Sequence, residues 1–194
     1  MLTPKEGPFH LAEGRLTPLT KKEQSSWSFT LVAMGGTFDV LHRGHRLLLK
    51  KAFEVGKKVT IGITSDVFAR QLHKPHEIDP FESRKIELEN LLRNWGVLSR
   101  SRIVRLDDRF GPTIRTSRIE AIVVSKRTVK TGYEINRKRR LGGLKPIAIV
   151  AIDLIQAQDR KPISSTRIRR GRIDREGRVV KKREQVSHTY AHNL

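Results

Sequence analysis

Two histidines, His42 and His45, stand three residues apart at the end of the string Met34-Gly35-Gly36-Thr37-Phe38-Asp39-Val40-Leu41-His42-Arg43-Gly44-His45. Across the start of a helix that spacing turns both rings to one side, where imidazole N–H groups can donate to phosphate oxygens. Gly35 and Gly36 lack Cβ atoms, so a nucleotide can approach the backbone closely. Thr37 offers a hydroxyl and a backbone N–H near the phosphates, and Gly44 allows a tight turn against the nucleotide. The positive end of the helix would add to this anion site. Two histidines without a nearby Cys or Glu make a poor metal site, and none is assigned. A Gly-Gly turn alone is commonplace, and two neighbouring histidines are more often ordinary surface residues. It is their arrival together with a hydroxyl that is specific.

A second string, Lys161-Pro162-Ile163-Ser164-Ser165-Thr166-Arg167-Ile168-Arg169-Arg170-Gly171, has the same character. Ser164, Ser165 and Thr166 are strong helix N-caps and phosphate donors. Arg167 can hold phosphate oxygens in a bidentate way. Alone, this would be a capped, basic surface helix. Paired with the first string, it becomes the other side of a phosphate site.

The intervening pattern supplies the elements that hold these strings. Apolar runs predict strands over 29–34, 59–64, 103–106, 121–125 and 146–151. Helices are expected over 45–55, from Asp79-Pro80 to Trp95, and over 128–141. Asp79 suits the N-cap of the second, Pro80 its first position and Glu82 the capping-box position. Ser65 or Asp66 can cap a short helical turn. Short apolar strands alternating with helices indicate an α/β fold: a Rossmann-like open parallel sheet of five strands with helices on both faces. The first string falls where the first strand of that sheet meets a helix, which is where such sheets bind ligands. Residues 1–26 read as a polar extension, 27–178 as the domain and 179–194 as a basic tail.

Forty Lys and Arg against twenty Asp and Glu give a net charge of +20, a field that attracts polyanions. Aromatic residues are only 6% and do not interleave with the basic ones as base-stacking platforms do. Weak non-specific nucleic-acid affinity is expected as a side property. The chain has no cysteine, which excludes disulfides and thiolate chemistry. No apolar run reaches the roughly 18 residues of a membrane helix, and no secretory signal is evident, so a cytoplasmic location is expected. Composition does not fix the oligomeric state.

The two strings resemble the nucleotidyltransferase superfamily that shares the His-x-Gly-His signature with class I aminoacyl-tRNA synthetases. Pro80-Phe81-x-x-Arg84 and Glu134-x-Asn136-x-x-Arg139 make the chain similar to its archaeal-type phosphopantetheine adenylyltransferases. The resemblance implies transfer of AMP from ATP, accompanied by Mg2+, to 4′-phosphopantetheine, giving dephospho-coenzyme A and pyrophosphate. It implies that Thr37 and Phe38 contact the junction of the two substrates, and that His42 and His45 stabilise the transferring phosphoryl group. Ser164, Ser165, Thr166 and Arg167 would hold the β- and γ-phosphates. Lys74 is the candidate lysine for the acceptor phosphate. Lys126 or Arg127 could also reach a phosphate, and Glu134 could face the nucleotide. The chain departs from the pattern at Arg160, where Gly is expected, at Lys126 and Arg127, where acidic residues often follow Ser125, and at Arg172, where Glu is usual. Sister enzymes acting on nicotinamide mononucleotide, flavin mononucleotide or glycerol 3-phosphate are the alternative, and a basic nucleic-acid-binding module is a more distant one.

Overall fold

The computed structural model describes residues 9–12, 15–18 and 27–180. The remainder of the expected extension and residues 181–194 of the expected basic tail lie outside the described residues. Within the extension, β1 (Phe9–Ala12) and β2 (Arg15–Pro18) pair antiparallel, where only loop was expected. Pro4, Pro8, Gly14 and Pro18 dominate the local signal there and mask two short extended runs.

The domain itself is built from β3 (Phe29–Gly36), α1 (Arg43–Val55), β4 (Gly56–Thr64), α2 (Asp66–Gln71), α3 (Phe81–Asn94), β5 (Ser101–Leu106), β6 (Ala121–Ser125), α4 (Val129–Leu141), β7 (Ala148–Ile152) and α5 (Ser165–Arg169). Five strands form one parallel sheet in the order β5-β4-β3-β6-β7. The chain builds outward from β3 to β5, then returns to add β6 and β7 on the other side. The order therefore reverses between β3 and β6, and the crevice at the carboxyl ends of those strands is the expected ligand position.

Alternation along the strands sorts the core into two layers. Val32, Met34, Val59, Ile61, Ile63, Ala121 and Val123 point to one face and pack on Leu49, Ala52 and Phe53 of α1 and Leu88 and Leu92 of α3. Ala33, Ile122 and Val124 point to the other face and pack on Ile135 of α4. A helix packs on each face, as the alternating pattern predicts.

One local expectation, the cap of α3, is corrected. α3 takes Pro80 as its N-cap, with no side-chain cap bond. Asp79 does not cap it, because its carboxylate is 2.6 Å from the Arg169 guanidinium. Gly56 ends α1 but also begins β4 with no linker between them. A Cβ at Gly56 would lie 2.6 Å from Val32 Cγ2, so only glycine fits that corner.

Buried Arg84 fastens the strand ends together. Its Nη1 donates to Thr37 O at 2.8 Å and Thr64 O at 2.9 Å, its Nε to Asp79 O at 2.7 Å, and its Nη2 to Asp66 at 2.9 Å. Asn136 and Arg139, part of the string that suggested the subfamily, do similar work below α4. Asn136 exchanges two hydrogen bonds with the Ile147 backbone at 2.8 and 2.9 Å, and Arg139 donates to Lys145 O, Thr113 O and Thr116 O.

Candidate active site

The loop after β3 carries the first string, and its backbone is under strain. Phe38 and Val40 have φ of 53° and 49°, the left-handed region that non-glycine residues avoid and where a β-branched residue is a true outlier. Such conformations persist only where the surroundings over-determine them, and here they do. The Asp39 side chain between them is fully buried. Its carboxylate receives Arg169 Nη2 at 2.6 Å, the Asp79 N–H at 3.2 Å and His76 Nε2 at 3.1 Å. Ser165 Oγ donates to the Asp39 carbonyl at 2.5 Å. Burial alone would raise the Asp39 carboxyl. Arg169, the Asp79 N–H and His76 outweigh it and hold the group below its ordinary value.

These contacts bring the two strings together. Ser165 and Arg169 belong to the second string and Asp39 to the first. Asp39, His76 and Arg169 had not been assigned roles from the sequence. The available signal was the i, i+4 spacing of Ser165 and Arg169, which puts both on one face of a helix.

His42 is the N-cap of α1. Its Nδ1 accepts the N–H groups of Gly44 at 3.1 Å and His45 at 3.4 Å. A ring nitrogen that accepts carries no proton, so the neutral His42 ring bears its hydrogen on Nε2. Burial lowers the His42 pKa to about 4, with the charges of Arg46 and Lys74 adding to the effect and Asp39 opposing it. The His45 ring stacks on it, with centroids 3.8 Å apart. Burial, then the charges of His42, Lys74 and Arg46, hold His45 well below the ordinary imidazole range. Both rings are therefore neutral at pH 7. The buried His45 Nδ1 has no partner among the described residues.

The α1 N-terminus differs from expectation. The Arg43 N–H donates to Arg175 O at 2.9 Å and the Arg46 N–H to His42 O at 3.1 Å, while Gly44 and His45 are capped by His42. The donors of the first turn therefore have partners within the protein. A Cβ at Gly44 would stand 3.0 Å from His42 Cε1, so Gly44 makes room for the His42 ring. A Cβ at Gly36 would lie 3.3 Å from the Phe38 ring, and at Gly35 3.2 Å from Leu106.

The other candidates divide. Thr37 is buried beside Arg84. Phe38 is wholly buried in the core, its ring 5.3 Å from that of His45, so its side chain supports the histidine and offers no surface to a substrate. Lys74 joins the histidines electrostatically. Burial lowers its pKa, Asp39 opposes this, and Arg84 and Arg127 add to it. Arg127 is thus within electrostatic reach of the site. Lys126 is not brought in: its ammonium lies 2.5 Å from Asp153 in an exposed pair. Glu134 pairs with Arg109 at 3.4 Å and has no bond to the histidine cluster among the described residues.

In the second string, Ser164 Oγ caps Arg167 N at 3.4 Å, and Ser165 is committed to Asp39. Thr166 is half-buried and has no side-chain bond among the described residues. Arg167 turns away from the first string: its guanidinium donates to Pro162 O at 2.9 Å and Lys161 O at 3.2 Å and pairs with Asp159. Arg169 is the arginine that faces the histidine loop.

Beside Gly35, a small cavity of about 30 Å3 that opens to solvent is lined by Met34, Thr60, Val104, Leu106, Phe110, Thr113 and Ile135, among others. Arg109, the partner of Glu134, also lines it.

The cytidylyltransferase-like family model matches residues 33–171. The chain is 47% identical over 154 residues to the phosphopantetheine adenylyltransferase of Methanothermobacter thermautotrophicus, covering 79% of this chain and 92% of that one. It is 40% identical over 159 residues to the enzyme of the same name from Methanopyrus kandleri, covering 82% and 96%. Among solved structures, an Archaeoglobus fulgidus protein with unknown function superposes with a TM-score of 0.57 at 31% identity, covering 70% of this chain and all of that one. A Francisella tularensis bifunctional NMN adenylyltransferase/ADP ribose pyrophosphatase shares the fold, with a TM-score of 0.53 at 21% identity. With the paired histidines, the buried aspartate and the second string gathered at one sheet end, the chain belongs to the cytidylyltransferase-like family of nucleotidyltransferases and, within it, to the archaeal phosphopantetheine adenylyltransferases.

Proposed function

We propose that the protein transfers AMP from ATP to 4′-phosphopantetheine, releasing pyrophosphate and forming dephospho-coenzyme A. The observation that carries the reading is the joining of the two strings at Asp39, which sets the histidine loop against α5 at the topological switch point. The names of the archaeal relatives support the choice of acceptor.

The reaction brings two anions together, the α-phosphate of ATP and the acceptor phosphate. In-line attack needs alignment and charge neutralisation; no covalent intermediate is required. His42 and His45, both neutral, donate N–H groups to the transferring phosphoryl group. A neutral donor can strengthen its bond as charge builds in the transition state without holding the ground state as tightly as a cation would. Lys74, with Arg127 nearby, holds the acceptor phosphate. Thr166 and Arg169 supply polar contact to the triphosphate. Mg2+ would enter with the substrate, as MgATP. No described helix is long and apolar enough to cross a membrane, and the reading carries with it a cytoplasmic location.

A pyrophosphate-release assay tests this. ATP and CTP are offered against 4′-phosphopantetheine, nicotinamide mononucleotide, flavin mononucleotide and glycerol 3-phosphate. ATP with 4′-phosphopantetheine should be the productive pair. Preference for another acceptor would overturn the substrate. A salt-sensitive shift of nucleic acid with no pyrophosphate from any pair would overturn the enzyme reading.

A further inference from the structure

The stretch between α2 and α3 carries Lys74, and it is held by few bonds. The His73 N–H donates to Arg70 O at 3.1 Å, continuing the end of α2. At the far end, Asp79 is fixed through its N–H to Asp39, its carboxylate to Arg169 and its carbonyl to Arg84. Between these ends, residues 74–78 have one side-chain anchor among the described residues: His76 Nε2, 3.1 Å from Asp39 Oδ2. The His76 side chain is 7% exposed.

His76 is a poor choice for packing alone. Its Nδ1 is buried with no partner, and a buried polar atom left unpaired is costly where an aliphatic side chain would not be. What the imidazole supplies and an aliphatic group could not is a directed bond to a buried carboxylate. That carboxylate also holds Arg169, so the Lys74 stretch and the histidine loop share one reference point. We propose that His76 is a positioning residue for the acceptor: its bond to Asp39 fixes residues 74–78 so that the Lys74 ammonium meets the acceptor phosphate. The inference deepens the functional reading and rests on Lys74 being the acceptor lysine.

The test compares His76→Ala, His76→Asn and His76→Gln in the full-length enzyme, with ATP and 4′-phosphopantetheine varied separately. Gln carries an amide nitrogen to about the reach of imidazole Nε2, whereas Asn is too short. In His76→Ala and His76→Asn, the acceptor KM should rise about tenfold or more, as expected for loss of one hydrogen bond to a charged group, with the ATP KM within about twofold. His76→Gln should restore most of the acceptor KM. Amide exchange at residues 72–79 should quicken in the Ala and Asn variants and not in Gln, while residues 34–45 stay protected. Should Ala fail to fold, the Asn and Gln pair decides. Equal rises in both KM values, a fall in kcat with both KM values unchanged, or no restoration by Gln would each overturn the proposal. A wild-type enzyme active on 4′-phosphopantetheine alongside unaltered His76 variants removes this inference alone. A wild type silent on every phosphorylated acceptor removes the functional reading, and this inference with it.

Discussion

Arg169 reaches back 130 positions to place its Nη2 2.6 Å from the buried carboxylate of Asp39. The pair lies at the join between the two strings, and its electrostatics are open to titration. The Asp39 pKa is lowered in the fold. Its stabilising contribution is therefore present above the ordinary carboxylate value near 3.8 and is lost as pH falls through the lowered value. Asp39→Asn should cost about 3 kcal/mol at pH 7, as breaking a buried pair does. In urea titrations, the gap between wild type and variant should narrow only below pH 3.8. A gap independent of pH would contradict the assignment.

His45→Ala should reduce kcat by about 10²–10³, the effect of removing one transition-state donor, with a smaller change in ATP binding. With His42 lowered to about 4 and His45 lower than its ordinary range, both rings keep their neutral form on the alkaline side of those values. The pH–rate profile should then be flat across the ordinary imidazole region near 6.5. An inflection there that disappears in His45→Ala would show that the ring titrates and works as a cation.

Lys74→Ala should raise the KM for the acceptor more than that for ATP. Lys126→Ala should leave both unchanged, because Lys126 is exposed and pairs with Asp153. Steady-state kinetics on the two variants separate the lysines, and equal effects on both substrates in Lys74→Ala would contradict its role.

Gly44→Ala places a methyl 3.0 Å from the His42 ring. That ring is held by two backbone bonds and by its stack on His45, so it has little room to yield. The variant should fold, bind nucleotide and lose about tenfold or more in kcat, since misplacing a catalytic group is expensive. Wild-type turnover would mean that the His42 ring position is not critical.

Arg160 stands where the family pattern expects Gly, and its φ is 60°. Relief of that left-handed strain, offset by the greater backbone freedom of glycine when unfolded, should make Arg160→Gly more stable by about 0.5–1 kcal/mol. Thermal melts check it, and activity should not change, since the exposed side chain lies outside the site.

Much of this was legible in the sequence. The apolar run 121–125 became β6 without adjustment, and the His-x-Gly-His string fell at the end of the central strand. What the sequence does not reveal shares a cause. Which arginine of α5 faces the histidine loop depends on helix register, and residues 167 and 169, two apart, point to nearly opposite sides. Ser165 sets that register by bonding Asp39, a partner 126 positions away, and no local pattern announces it. Asp79 was read as a cap because its neighbours suit one. The competing bond to Arg169 is equally non-local. Nothing in residue type reveals that one ring nitrogen of His42 is spent on the helix end.

The strained loop at Phe38 and Val40 has a consequence for biosynthesis. The ribosome releases the histidines long before it makes Ser165 and Arg169, which help to hold that loop in shape. A released chain truncated before residue 163 retains all five strands and both sheet layers of the core, yet it would leave Phe38 and Val40 free to relax out of their left-handed conformations. Nucleotide competence should thus switch on late in translation, after the scaffold is already compact.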